Sequence, residues 1–172
     1  MMPGRYSGEC QQRCNNADLL LRILTAEEAT AKPPMVALLE GAVFHLYTAY
    51  LMHLRDIADS YSCTTPELVV SLSELIERLA VQGMEPAESL EIKTLLSDKS
   101  SWLSCCLSAY DRCLGSRLLA ETKSQDMQVS NAGIDLHQDH GDLQALTVAD
   151  VTSWHTAMLE LSTRHRTLMS EY

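Results

Sequence analysis

The run Asp135-Leu136-His137-Gln138-Asp139-His140 places two imidazoles and two carboxylates within six positions, a density of donors that binds zinc or nickel. It is one residue away from the His-x-His-x-Asp-His signature of metallo-β-lactamase-type hydrolases, with Asp135 where the first histidine would stand. That signature works from a loop between a strand and a helix, which aims its ligands at two metals. No flanking strands are legible here, and 172 residues are too few for that fold. The plainer expectation for His137, Asp139 and His140 is a solvated polar loop, with incidental, weak capture of zinc or nickel as the alternative.

The remaining histidines are His45, His53, His155 and His165. His45 and His53 lie eight positions apart on what reads as one long helix; His155 and His165 lie ten apart, near three full turns, with His165 on an apolar stripe. A bundle that set one of the first pair against one of the second could build a three-ligand metal site, as helical thiol-transferase-like folds do. The commoner outcome is a buried imidazole donating to a carbonyl or a carboxylate. Bundle-type di-iron chemistry needs Glu-x-x-His, and no acidic residue stands three positions before any histidine. Nor does an arginine precede a histidine by five to seven positions, the spacing used by RNA-cleaving bundles of the HEPN class.

Cysteine chemistry has equally little support. Cys10-x-x-x-Cys14 and Cys105-Cys106 lack the Cys-x-x-Cys spacing of redox sites, whereas separations of four and seven among Cys10, Cys14, Cys106 and Cys113 suit helix faces. These thiols read as small core residues. The Arg55-Asp56 pair, with Tyr47 and Tyr50, could rim a groove, but surface charges and amphipathic core edges are the simpler account.

The elements that must carry these residues are helices. Cys10, Cys14, Ala17, Leu21 and Leu24 form the buried stripe of a first helix from about Tyr6 to Ala31, closed by Pro33 and Pro34. A second, from about Pro34 to Tyr61, buries Val36, Leu39, Val43, Leu46, Tyr50, His53 and Ile57; at about 42 Å it is the central element. Thr65-Pro66-Glu67 reads as the start of a third helix running to Gln82, with Leu68, Leu72, Leu75 and Leu79 facing the core and Gly83 as its stop. A short fourth spans about Pro86 to Leu96. A fifth spans Ser101 to Glu121, with Leu103, Leu107, Tyr110, Leu114 and Leu118 as its stripe. Thr147 and Asp150 resemble a capping box that opens a last helix reaching nearly to Tyr172, striped by Val151, Trp154, Met158, Leu161, His165, Leu168 and Tyr172. Residues 122–146 show no periodicity, carry mostly acidic charge, and read as a mobile linker. Only the Leu68 to Leu72 stretch looks strand-like.

A net charge of −10 opposes binding to a phosphate backbone, since the four lysines are scattered and only Arg164 and Arg166, flanking His165, cluster locally. Nucleic acid is therefore a disfavoured partner. No stretch reads as the apolar run of about 20 residues that spans a membrane, and the first residues lack a secretion signal, so a cytoplasmic protein with reduced cysteines is expected.

The chain resembles a family of small uncharacterised helical proteins from Pseudomonas and related gammaproteobacteria. The resemblance is carried by Ala42-Val43-Phe44-His45-Leu46-Tyr47 and the helix continuing through Ile57-Ala58, by Ser101-Trp102-Leu103, and by Trp154, Leu161, Arg164 and Met169-Ser170-Glu171-Tyr172. It implies a helical bundle with a variable linker before the last helix and no known activity.

These readings together predict an all-α fold: one antiparallel bundle of four to six helices over residues 1–172, with the acidic linker outside. The function they favour is a non-enzymatic interaction or adaptor module, without cofactor, that binds a protein partner or itself. The alternative is a metal-binding bundle or metal-dependent enzyme using His45, His53, His155 or His165.

Overall fold

The structure, a computed structural model, describes residues 5–26, 32–115 and 146–170. Among them are six helices and no strand: α1 (Arg5–Ala26), α2 (Lys32–Ser60), α3 (Leu72–Val81), α4 (Ala87–Ser97), α5 (Trp102–Cys113) and α6 (Val148–Met169), with a single 3₁₀ turn at Pro66–Leu68. The all-α bundle expected from the three-four spacing is what the chain forms.

α2 organises it. Its 29 residues span about 43 Å, and α1, α3, α5 and α6 all pack against it. α1 and α2 make an antiparallel hairpin with an extensive interface. They approach closely at Gly41, where a Cβ would sit 3.0 Å from the Leu20 Cδ1 and the leucine would have to shift to admit it. Pro33 and Pro34 fall within the first turn of α2, where a missing N–H costs no helical hydrogen bond, so they open this helix. From Met52 to Ala58 every residue except Arg55 is buried, because helices cover α2 from several sides. The same concentration of apolar residues makes Met35–Ser60 long and apolar enough to cross a membrane by length and hydropathy, contrary to the expectation that no stretch is. Here that segment is the core helix of the bundle.

The apolar stripes of α1, α2 and α6 lie largely where the three-four spacing places them, except that Val36 near the start of α2 is only partly buried, and the buried apolar side chains form one continuous core. At the end of α6, Leu168 is half exposed rather than buried. Thr147 and Asp150 close a reciprocal capping box at its start, each satisfying a backbone N–H of the other.

The third helix starts later than Thr65-Pro66-Glu67 suggests. Thr65 sits in left-handed backbone (φ 54°) and its side chain caps nothing; Pro66 opens only the 3₁₀ turn, and Val69 is extended. Arg55 Nε donates to the Val69 carbonyl and holds this segment against α2. The true N-cap is Ser71, whose Oγ accepts from the Glu74 N–H, while the Glu74 carboxylate accepts from Val70 N. Adjacent β-branched Val69 and Val70 favour extended backbone, which explains the strand-like appearance of Leu68 to Leu72. As a result Leu68, expected in the core, is 55% exposed, and Val69 is buried in its place. α3 then ends as expected at Gly83 (φ +69°), where Gly83 N bonds to Ala80 O and Met84 N to Leu79 O.

α5 is rotated and shortened relative to its expected stripe. It buries Leu103, Ser104, Cys106 and Ala109, with Ser104 donating to α4 carbonyls, while Leu107 and Tyr110 are half-buried at the flank, Tyr110 against Tyr47 of α2. Leu114 is the C-cap, 61% exposed, and Gly115 (φ +65°) ends the helix well before Glu121. Leu118 and all of the expected linker except Leu146 lie outside the described residues, as do His137, Asp139, His140 and Tyr172.

Candidate functional site

Two of the four core histidine candidates meet. His53 of α2 and His165 of α6 are both fully buried, and His53 Nε2 lies 2.9 Å from His165 Nδ1. The other nitrogen of His165, Nε2, is 3.0 Å from a carboxylate oxygen of Glu91 on α4. Glu91 also accepts from the exposed guanidinium of Arg164, one residue before His165.

The chemistry of the acceptor fixes the protons. Burial by itself would raise the Glu91 carboxyl, but the hydrogen bonds from Arg164 and His165 outweigh it and hold the group below the usual range, so it is an ionised acceptor. His165 Nε2–H must then donate to Glu91. With Nδ1 of His165 as the acceptor, His53 Nε2–H donates to it. The tautomers we assign therefore run in one direction, from α2 through α6 to the surface at α4. They leave His53 Nδ1 as a bare lone pair, buried and without a partner among the described residues. Complete desolvation, with His165 and Arg166 nearby, pushes His53 down to about 3.

A second polar cluster adjoins the first. Asp56 is one turn beyond His53 on α2 and only 5% exposed. It accepts from the backbone N–H of Ser7, one of the amides in the first turn of α1 that lack an intrahelical partner. Arg166 reaches down from α6 to donate to Ser7 Oγ at 3.1 Å and to its own Ser162 carbonyl. Burial wins over the pull of Arg166 and the Ser7 N–H, and the Asp56 carboxyl is raised to about 6. Asp56 is thus a core residue, contrary to the expected surface charge, Tyr50 is buried as its place on the α2 stripe predicts, and Arg55 is committed to the Val69 carbonyl. An acid three positions after a stripe histidine was the available signal for Asp56. Nothing in the sequence around Glu91 points to its role, which depends on where α4 packs.

His45 and His155 stay apart from this pair. His45 packs edge-on against Phe44, its Nδ1 has no partner, and burial together with nearby Arg13 lowers its pKa. His155 is half-buried, about 15 Å along α6 from His165. The His53 and His165 nitrogens point at each other, not at a common point. Among the described residues no group of three or more His, Cys, Asp or Glu side chains is arranged to hold a metal ion. All six cysteines are free; burial raises the Cys106 thiol to about 12, and the hydrogen bond with Cys14, together with burial, raises Cys10.

Among the described residues, two concavities lie near these helices without including the histidine pair. A groove of about 400 Å³ between α3 and α4 is lined by Ile76, Leu79, Met84, Leu90 and Lys93, and an open depression on α6 touches Arg164; neither is lined by His53 or His165. The more accessible feature is aromatic. Tyr47 of α2 and Tyr110 of α5 stack at 3.6 Å with their rings 6° from parallel, and Phe44 leans on Tyr110 at 6.3 Å.

The sequence profile of a family of unknown function, DUF6586, matches residues 2–171. The chain belongs to that family. No curated protein and no solved structure matches it significantly. Membership covers nearly the whole helical array described above and assigns no activity to it.

Proposed function

We propose that this member of DUF6586 is a non-enzymatic interaction module that presents the α2/α5 aromatic face to a protein partner. One observation carries the reading. The chain has a single phenylalanine, and instead of filling the core it is 47% exposed beside the Tyr47–Tyr110 stack. Aromatic side chains contribute most of their free energy when fully desolvated, and a half-exposed trio of them on rigid helices is the composition of an interface centre. Exposed Leu114, one turn beyond Tyr110, extends the same face. The buried histidine pair, sealed from both concavities, supports a structural role for the polar residues over a catalytic one. The setting we propose is a bacterial cytoplasm, where the six free thiols stay reduced.

The Phe44→Asp variant tests this, because its charge sits at an exposed helical position and leaves the core intact. Wild type and variant are compared by light scattering on a sizing column from micromolar to 100 μM, and as baits in lysate treated with nuclease. The reading expects identical circular dichroism and a defined complex, with itself or with another protein, that the variant loses. If both proteins retain the same complex, or neither forms one, the aromatic face is not an interaction site.

A further inference from the structure

Three consecutive residues of α6 each fasten it to a different helix. Arg164 bonds to Glu91 of α4, His165 bridges Glu91 and His53 of α2, and Arg166 bonds to Ser7 of α1. The charged and titratable groups around the pair are Glu91 on α4, Asp56 on α2, Arg164 and Arg166 on α6, and the thiols of Cys10 and Cys14 on α1, which lie near Arg166. Among the described residues, no charged group from α3 or α5 acts on His53.

This arrangement has no place for another proton. Each ring already carries one on Nε2, and the one free lone pair, His53 Nδ1, is sealed in the core with nothing to accept its hydrogen and with Arg166 close by. A proton placed between the rings, on His165 Nδ1, would make an imidazolium facing Glu91. It would also force His53 to donate from Nδ1 instead of Nε2, again into a site with no acceptor. Both routes leave a buried N–H unsatisfied, which destabilises the closed arrangement. In water the same imidazole takes its proton freely near pH 6.5.

We propose that the His53–His165 pair is a proton-operated latch: while neutral it fastens the C-terminal half of α6 to α2 and α4, and uptake of one proton by His53 is accommodated only when that half of α6 detaches. The device belongs to the bundle itself and stands whether or not the aromatic face binds a partner. Its consequence is a surface, the α2 face under His165, that acid exposes and neutral pH hides.

The test is hydrogen exchange of the full chain at pH 7.5 and 5.0, corrected for intrinsic rates, in wild type and in His53→Gln. Glutamine keeps an N–H to donate toward His165 Nδ1 but takes up no proton. One proton per opening, with an ordinary histidine pKa in the open state, makes the wild-type-to-variant ratio of opening constants for amides of Met158 to Arg166 rise about 30-fold between these pH values. Asp56 pulls the opposite way in both proteins and cancels in the ratio. The same ratio for α3 amides stays flat. An α6 ratio that does not change, or that changes equally in every helix, overturns the latch. Should His53→Gln fail to fold, imidazole nitrogen resonances of the wild type decide. The latch expects His53 to stay neutral wherever α6 is protected, and a His53 that titrates near pH 6.5 with α6 still protected overturns it.

Discussion

Asp56→Asn isolates the cost of burying one carboxylate in this bundle. The substitution keeps the shape and an oxygen to accept the Ser7 N–H, and removes only the charge. With a folded pKa of about 6 against an ordinary 3.8, Asp56 binds its proton more tightly when folded. Its ionisation therefore costs stability as pH rises from 3.8 through 6, the reverse of the usual surface carboxylate. At about 1.4 kcal/mol per pH unit, that cost is about 0.5 kcal/mol at pH 4 and about 3 kcal/mol at pH 7.5. Any change in packing that asparagine brings weighs equally at both values. The shift in the gap between the two proteins, about 2.5 kcal/mol in favour of the variant on going from pH 4 to 7.5, is therefore the quantity to measure. Urea unfolding followed by helical circular dichroism at fixed ionic strength gives it directly. A gap that stays constant with pH, or that moves against the variant as pH rises, would refute the account of Asp56 as a carboxylate held in the core against its solvation.

Two glycine substitutions are expected to differ in sign. Gly83→Ala forces a side chain into left-handed backbone with no neighbour to blame, and should cost about 1 kcal/mol, whereas Gly8→Ala, in the open on α1, should gain about 0.5–1 kcal/mol; thermal melts of both settle it. Leu161→Ala, at a fully buried position of α6, should lose about 2–5 kcal/mol in urea unfolding, and a loss under about 1 kcal/mol would mean that α6 is not packed on the core as described. Thr147→Ala removes half of the capping box and should cost about 1 kcal/mol, with the first turn of α6 exchanging its amides faster.

Along α1, α2 and α6 most of the buried face was legible in the sequence, because their large apolar residues repeat at three and four on a single side, and at the start of α6 Thr147 with Asp150 has a fixed job. His53 and His165 were legible as stripe positions for the same reason. Spacing along one helix, however, carries no information about what lies across it. Only packing decided that these two rings would meet, that Glu91 would supply the carboxylate from a third helix, and that Asp56 would be drawn inside to meet the bare amides at the start of α1. The start of α3 and the rotation of α5 were likewise decided by tertiary structure. At Thr65-Pro66 the local start signal yields to extended Val69, fastened by Arg55 from α2. In α5 the large Leu107 and Tyr110 suggest one face, yet Ser104, Cys106 and Ala109 are the residues buried with Leu103, a choice made by the helices packed around α5.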